Sequence, residues 1–317
     1  MSNSEAIVVS KGIAVKRASL WQSILYYKYI YLMLLPGIIF FLIFRYIPMY
    51  GVQLAFKEFY SNKGINGSPW IGFENFKILV TEKAFLIAFT NTLTISAMKI
   101  IFGFPFPIIL ALLLNEVRSA KYKKVLQTVF TFPHFLSWVI LAGMAMNLLS
   151  NTGAINNMLT NFGIERQDFL TNKETFRYLL VFSEMWKEAG WATILYLAAI
   201  AGIDTSIYEA ATVDGANRFQ KIIYITWPGI VSMTIVLLIL TLGNIMEAGF
   251  MQVFNLYNAP VYEVADIIDT YVYRISFQQA PNFGFSTAVG LFKGVANLIL
   301  LLSANQIAKF FGHDGII

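Results

Sequence analysis

Residues 204–230 read DTSIYEAATVDGANRFQKIIYITWPGI, a polar stretch between two apolar segments that decides how the whole chain is interpreted. Ser206 and Glu209 have the spacing of a helix capping box, in which each side chain accepts a hydrogen bond from the other residue's amide. Gly215 is a natural helix stop, because glycine adopts left-handed backbone angles at low cost. The stretch therefore predicts a short helix, a glycine turn and a second helical piece from Ala216 to Ile225.

The chain around this stretch is too poor in charge for a water-soluble protein. Its 317 residues are 57% hydrophobic and 13% charged, whereas soluble domains carry roughly 25% charged residues. With so little polar surface, the sequence predicts an integral membrane protein. The net charge of +5 is attributed to membrane orientation and not to nucleic-acid binding, because the basic residues flank apolar segments. The absence of cysteine excludes disulfides and thiol chemistry.

Several apolar stretches are long enough to cross a bilayer as helices, which takes about 20 residues. Six of them qualify, over residues 30–47, 84–114, 125–149, 178–203, 227–250 and 283–307. Pro105 and Pro107 are expected to kink the second, because proline lacks an amide hydrogen and clashes with the preceding turn. Pro228 is expected to open the fifth at a tolerated first-turn position. The sequence thus predicts an all-α integral membrane fold of six transmembrane helices.

Basic residues in the short loops predict the orientation of these spans, because such residues concentrate on the cytoplasmic side. The strongest cluster lies in the turn 115–124 and comprises Arg118, Lys121, Lys123 and Lys124. This turn, residues 204–226 and both termini are therefore predicted to be cytoplasmic. Residues 1–29, with the basic Lys11, Lys16 and Arg17, are expected to precede a membrane domain of residues 30–317. The first span lacks a small-residue cleavage signature, which predicts an uncleaved helix.

The stretch 204–230 resembles the signature of binding-protein-dependent ABC importer permeases. The matching positions are Glu209, Ala210, Ala211, Asp214, Gly215, Ala216, Ile225 and Pro228. Trp227 and Ile222 stand where the family commonly has Leu and Phe, which leaves the helix–turn–helix reading intact. The resemblance covers most of the chain, and residues 132–138 and 288–305 look like the branch that handles complex oligosaccharides.

The resemblance implies a type I importer permease of the MetI-like fold, with a coupling helix in the loop 204–228 that docks into a groove on an ATPase subunit. It also implies the partners: a second permease subunit, usually non-identical, two ATPase subunits, and an extracytoplasmic binding protein that delivers an oligosaccharide or polysaccharide fragment. The setting is the lipid bilayer of the bacterial cytoplasmic (inner) membrane. ATP and Mg are expected on the ATPase subunits, and no cofactor or enzymatic reaction on this chain, which lacks the phosphate loop GxxxxGK[ST].

Charged side chains in or near the spans are candidates for a substrate cavity, because a charge at a helix centre costs roughly 2.5–3.5 kcal/mol to insert. Together with rings that could stack on sugars, the candidates are Lys99, Glu184, Trp186, Lys187, Glu188, Trp191, Glu247 and Lys293. Glu184 and Glu188 share a helix face, and Lys187 is spaced to pair with Glu184. The same charges could instead pair with one another or with the second permease, and the tryptophans could anchor the chain at the membrane interface.

Two other classes of function stay open at this point. A secondary transporter or channel would use Lys99, Glu184 and Glu247 as an ion relay, but it has no need for a cytoplasmic docking helix, and the chain shows no convincing inverted repeat. A membrane-bound enzyme would need a catalytic constellation. The histidines, His134 and His313, are far apart in the sequence, and no nucleophile–base pair or metal-ligand cluster stands out.

Overall fold

The structure, a computed structural model, describes residues 25–279, 281–310, 312 and 315. The basic residues Lys11, Lys16 and Arg17, and also His313, lie outside this part of the chain. Contacts divide the chain into a unit of residues 1–52 and a unit of residues 53–317. The described residues form helices and turns, with an isolated β-bridge between Lys57 and Trp70. The all-α prediction is therefore confirmed.

The first unit contains the start of a long apolar helix. Helix α1 (Lys28–Phe41) continues through a π-helical turn (Leu42–Tyr46) into a 3-10 segment (Ile47–Phe56), whose last residues belong to the second unit. Its residues are almost all apolar or aromatic, with Lys28, Arg45 and Gln53 as the polar exceptions, so this helix has no polar face. The first predicted span, residues 30–47, lies within it.

After the end of the 3-10 segment and a single helical turn (Gly64–Gly67), the second unit continues with α2 (Glu74–Thr81) and a long helix that contains the second predicted span. This long helix consists of α3 (Lys83–Met98), a π-helical turn (Lys99–Gly103) and α4 (Pro105–Asn115). Pro105 takes the first position of α4, where its missing amide is tolerated. The π-turn, which Phe104 separates from α4, is a rare feature that occurs mostly as a single turn within α-helices and often marks a functional position.

The third predicted span, residues 125–149, is wrong as a single helix. The chain forms α5 (Ala120–Thr131), a 3-10 turn, an extended link at Leu136 and Ser137, and then α6 (Trp138–Leu149). Pro133 in the turn has no amide hydrogen to continue the helix. The Ser137 hydroxyl accepts a hydrogen bond from the Ile140 amide at 3.4 Å and caps the new helix. The short helix α7 (Ala154–Asn161) follows.

The fifth predicted span has a different end in the structure. After α8 (Lys173–Ala201) and α9 (Thr205–Val213), a helix begins at Arg218 and runs through a π-helical turn (Ile222–Thr226) into α10 (Trp227–Gly243). The predicted start at Trp227, with Pro228 in the first turn, is confirmed for α10, which the π-turn joins to the helix that begins at Arg218. The predicted end at Phe250 is wrong, since α10 ends at Gly243.

Five helical stretches within the described residues are long and apolar enough to cross a membrane: Lys28–Phe56, Lys83–Asn115, Trp138–Asn161, Arg218–Gly243 and Phe283–Phe310. A sixth is reached if α8 and α9, which are bent by 71°, are counted together. Helix α8 is long enough alone, but it carries Glu184, Lys187 and Glu188 near its middle. The count of six spans therefore stays a prediction.

Residues 251–282, predicted as a long loop, fold back against the helices of the second unit. They form α11 (Phe250–Leu256) and α12 (Ile268–Tyr273) before α13 (Phe283–Phe310) begins. Leu256 packs in one buried cluster with side chains of α3 and α8, and Ile268 packs in another with side chains of α3 and α13. The side-chain amide of Asn91 on α3 donates to the Asp266 backbone carbonyl at 3.1 Å. This packing places the start of α11 beside the charged residues of α3 and α8.

Candidate functional site

The first candidate site is the loop 204–228, and its helix α9 begins earlier than the sequence predicted. Asp204 is the N-cap, and its carboxylate accepts a hydrogen bond from the Ser206 amide at 2.9 Å. The predicted capping box of Ser206 and Glu209 is wrong, because both residues already lie inside the helix. Hydrogen bonds from the Ser206 amide and hydroxyl hold the pKa of Asp204 below its usual range. Glu209 therefore does not contribute to the N-cap of α9.

The glycine turn of this loop is confirmed. Gly215 has φ +78, a left-handed angle that residues with a Cβ adopt at a cost. The Ala216 amide donates to the Ala211 carbonyl at 2.9 Å, and the Gly215 amide donates to the Thr212 carbonyl at 3.2 Å. These bonds form a Schellman ending, which satisfies the last carbonyls of α9.

The second half of the loop is tied back to α9 by contacts that the sequence analysis missed. Asn217 and Gln220 form a capping box, with bonds of 2.8 and 2.9 Å between side chains and amides. The Tyr208 hydroxyl lies 2.8 Å from the Thr226 hydroxyl. The Lys221 ammonium donates to the Thr212 hydroxyl at 2.7 Å. The N-x-x-Q spacing could have revealed the capping box, and the two side-chain bonds fix the angle between the helical pieces.

The outer surface of this loop is exposed and partly apolar. Helix α9 has no buried residue, and Glu209 and Ala210 face solvent. Large apolar side chains are also exposed, with Val213 at 89% and Tyr224 at 75%. Exposed apolar groups on a loop that is held by its own hydrogen bonds are typical of a binding surface for another protein.

The second candidate site is a cavity of about 480 Å³ between α3, α4, α8 and α10. Its lining is mainly apolar, and the charged residues in it are Lys99, Glu184, Glu188 and Glu247. The prediction that Glu184 and Glu188 share one helix face is confirmed, because both line this cavity. Pockets of this size, apolar with a few polar groups, are typical of small-ligand sites.

Lys99 is held at the cavity wall by groups from distant parts of the chain. Its ammonium donates to the Ala248 carbonyl at 2.7 Å, to the Gln252 side-chain oxygen at 2.6 Å and to the Glu184 carboxylate at 3.2 Å. Gln252 in turn donates to the Leu180 carbonyl at 2.6 Å. The predicted pair of Lys187 with Glu184 is wrong, because Glu184 turns towards Lys99.

A second charged cluster surrounds the break between α5 and α6. The Glu188 carboxylate lies 2.7 Å from His134 Nδ1 and 3.0 Å from the Lys187 ammonium. Lys187 also donates to the His134 carbonyl at 2.6 Å, and the rings of His134 and Trp191 stack with centroids 4.5 Å apart. Pro133 opens the helix there, so the freed carbonyl of His134 becomes an acceptor for the buried lysine.

The remaining predicted residues do not form one site. Trp186 and Trp191 are half exposed and, like Lys187 and Lys293, lie outside the cavity lining. Lys293 pairs with Asp269 at 2.6 Å. Glu247 lies in the non-helical link after α10, exposed in the cavity, and no described residue forms an ion pair with it. No group of His, Asp and Glu in the described chain has the arrangement of a metal site.

Two residues at this site, Ser96 and Gln252, were not predicted from the sequence. Ser96 lines the cavity one helical turn before Lys99, and its buried hydroxyl has no hydrogen-bond partner among the described residues. The spacing of Ser96 and Lys99 on one helix face could have revealed the first. Gln252 gave no signal, because it lies in a segment that looked like an external loop.

Comparison with known proteins identifies the family of this chain. The family described as binding-protein-dependent transport system inner membrane component matches residues 103–312. The polygalacturonan/rhamnogalacturonan transport system permease protein YteP of Bacillus subtilis (strain 168) is 48% identical over 313 residues, 98% of this chain and 96% of that protein. Protein LplB of the same organism is 45% identical over 290 residues, 91% of each chain.

A solved structure is similar over nearly the whole fold. It is a chain of a bacterial alginate ABC transporter in complex with an alginate pentasaccharide-bound periplasmic protein, with a TM-score of 0.86 and 45% identity over 94% of this chain and 99% of that one. The family match includes the loop 204–228 and the cavity-lining residues from Gly103 onwards. This chain belongs to the binding-protein-dependent inner membrane transport components, and it is the permease of an ABC importer.

Proposed function

We propose that this permease imports oligosaccharide fragments of acidic polysaccharides, which an extracytoplasmic binding protein delivers. The observation that carries the proposal is the 48% identity, over 98% of the chain, to a permease named for polygalacturonan and rhamnogalacturonan. The similar alginate transporter is described as an importer of an acidic polysaccharide, and polygalacturonan is likewise a polymer of sugar acids. Both relatives therefore favour a cargo that carries carboxylates.

The volume of the cavity is large enough for part of an oligosaccharide. Its volume of about 480 Å³ falls within the ~300–1,000 Å³ of small-molecule sites, so it accommodates a few sugar rings at a time. We assign cargo contact to the lining residues Lys99, Glu184, Glu188 and Glu247. The candidates outside the lining, Trp186, Lys187, Trp191 and Lys293, are assigned to packing or to the face of a partner permease.

The loop 204–228 is proposed to couple transport to ATP hydrolysis on separate subunits. Its exposed helix α9, with Glu209, Ala210 and Ala211, fits a groove on an ATPase, and the turn from Asp214 to Ala216 sets the direction of the chain towards Pro228. Two ATPase subunits would hold ATP and Mg, since this sequence has no phosphate loop. A second, non-identical permease subunit would complete the cavity.

The proposed location is the bacterial cytoplasmic membrane, with both termini in the cytoplasm. A cytoplasmic segment of residues 1–29 precedes the membrane domain of residues 30–317, and α8 serves as one of six spans despite its charges. The ion pairs of Glu184 and Lys187 support this use of α8, because paired charges that face the bundle interior are the form in which membranes tolerate them.

Uptake by the reconstituted complex tests the cargo. The complex that co-purifies with this chain is placed in liposomes containing ATP. The binding protein of the same transporter is added outside with labelled trigalacturonate. We expect uptake that requires both ATP and the binding protein. Uptake without ATP would contradict the importer, and uptake of neutral oligosaccharides with none of trigalacturonate would contradict the acidic cargo alone.

A further inference from the structure

We propose that Lys99 recognises carboxylates in the cavity by exchange: a carboxylate of the cargo displaces Glu184 from the Lys99 ammonium and takes its place. This inference rests on the proposed function, because it requires a cargo that carries carboxylates. The ligand class is an oligosaccharide of sugar acids, and the site comprises Lys99, Glu184 and Ser96.

The hydrogen bonds of Lys99 leave only one route for a new ligand. An ammonium has three donors, and all three are used, by Ala248, Gln252 and Glu184. The bonds to the Ala248 carbonyl and to Gln252 are short, at 2.7 and 2.6 Å, whereas the bond to Glu184 is 3.2 Å. A cargo carboxylate therefore binds Lys99 only after one acceptor leaves, and Glu184 is the acceptor with the longest bond.

The surroundings of these acceptors point to the same choice. Gln252 is fully buried and is held by bonds to the Leu180 carbonyl at 2.6 Å and to the Ser183 hydroxyl at 2.8 Å. Glu184 lines the cavity, its side chain is 30% exposed, and within the described chain it makes no hydrogen bond except the one to Lys99. Glu184 is thus the acceptor that water and cargo reach.

The far side of the ammonium is closed by backbone. Gly249 has φ +92, and a Cβ at this position would lie 2.9 Å from Lys99 Nζ and 3.7 Å from the Glu184 carboxylate. A side chain at this position would therefore force the Lys99 ammonium to shift. A ligand therefore approaches Lys99 from the cavity, through the position that Glu184 occupies.

Ser96 supplies an independent sign of a ligand. It is 5% exposed, lines the cavity, and has a hydroxyl without a partner in the described part of the chain. Buried hydroxyls normally make a hydrogen bond. Because Ser96 lies one turn before Lys99 on the same helix face, its hydroxyl is the second donor for a carboxylate held by Lys99.

Exchange of one carboxylate for another discriminates between acidic and neutral sugars. The ion pair is kept when a sugar acid replaces Glu184, so the buried ammonium never loses its counter-charge. A neutral sugar can offer only hydroxyls, and it would leave the lysine unpaired, which is costly in a buried site. Acidic cargo is therefore selected because a neutral sugar that displaced Glu184 would leave the Lys99 ammonium without a counter-charge.

Direct binding to the purified complex tests this, with free trigalacturonate and its methyl ester as probes; the ester has the same sugar rings but carries uncharged methyl carboxylates. We expect the unmodified complex to bind the acid more tightly than the ester. Glu184→Gln should tighten binding of the acid on the order of tenfold, because it removes the competing carboxylate. Gln252→Glu should weaken binding of the acid. The ester should change by less than about twofold in both variants.

Asp269→Asn is the matched control, because it removes a similarly exposed carboxylate from another lysine, Lys293. It should shift the acid and the ester equally. Equal shifts for Glu184→Gln or Gln252→Glu, or equal affinities of the unmodified complex for the two probes, would overturn the exchange. The uptake of trigalacturonate in liposomes tests the proposed function separately, so a complex that transports the acid without charge-dependent binding refutes this inference alone.

Discussion

The loop 204–228 and the cavity differ in the sequence distance that their contacts span. In the loop, Asp204 bonds the amide of Ser206, and the longest side-chain contact joins Tyr208 to Thr226. In the cavity, Lys99 reaches Glu184 and Gln252, which are 85 and 153 residues away. The loop's local contacts do not depend on the packing of the rest of the chain, whereas the cavity forms only when distant helices pack together correctly.

The two regions also differ in what they leave unbonded. The described loop presents Glu209 and exposed apolar side chains with no partner on their outer face, whereas Lys99 and Lys187 in and beside the cavity are already paired. We therefore propose that the loop binds a protein by forming new contacts. In the exchange proposed above, the cavity binds a charged ligand by displacing a partner of Lys99, because this lysine has no free donor.

The largest effect is expected where the cavity wall depends on backbone contact. At Gly190 on α8, next to the cavity-lining Ala189, an added Cβ would press against the Phe130 carbonyl of α5 and lie 2.6 Å from the Thr131 amide nitrogen, so the contact lies behind the lining. Backbone cannot move aside as a side chain can, so Gly190→Ala should lose about 3 kcal/mol of stability. Thermal unfolding of the purified complex measures this.

Gly143→Ala is the control for that substitution, because nothing lies within 4 Å of the Cβ it would add. This variant should unfold at the temperature of the unmodified protein or slightly above it. If Gly190→Ala proved equally stable, the close approach of α8 to the end of α5 would be incorrect.

The next effect concerns the turn of the loop and should leave the cavity intact. Gly215→Val places a β-branched residue at φ +78, which costs about 1–2 kcal/mol and displaces α9. We expect ATP hydrolysis to continue while uptake per ATP falls several-fold. Gly215→Asn, which tolerates this angle better, should retain most of the coupling. Equal coupling in both variants would show that the left-handed turn is not required.

A smaller effect should separate folding of the loop from its binding. Asp204→Ala removes the N-cap of α9 and should cost about 1 kcal/mol, detected as faster proteolysis of the loop. Glu209→Ala leaves the cap intact, because Glu209 does not contribute to it, and should instead reduce the amount of ATPase that co-purifies. A proteolysis rate raised by Glu209→Ala would contradict this separation.

The smallest effect is a pH dependence of the same cap. The folded loop lowers the pKa of Asp204, so the cap stabilises α9 above the ordinary aspartate pKa of about 3.9 and is lost as the pH falls through the lowered value. Loop proteolysis should therefore accelerate only below about pH 4. Asp204→Asn keeps a capping side chain that does not titrate, and its rate should not show this step.

The same contrast explains what the sequence could predict. The glycine turn at Gly215 and the apolar helices follow from local chemistry, and the structure has them. The pairing of Lys187 with Glu184 was wrong because helical spacing cannot indicate a partner 85 residues away, which is the separation of Lys99 and Glu184. The break after Pro133 was hidden by apolar residues on both sides, and the role of Gln252 depends on a segment that folds back between helices.

A single cysteine tests the central claim, that α9 is the contact with the ATPase. The chain has no cysteine of its own, so Ala210→Cys provides a unique exposed thiol for cross-linking in the co-purified complex, and mass spectrometry identifies the product. Asn161→Cys, exposed at the end of α7, is the control on the side predicted to face outwards. We predict a cross-link to an ATPase subunit from position 210 and none from position 161. A complex with no ATPase, or an ATPase cross-linked equally from both positions, would contradict it.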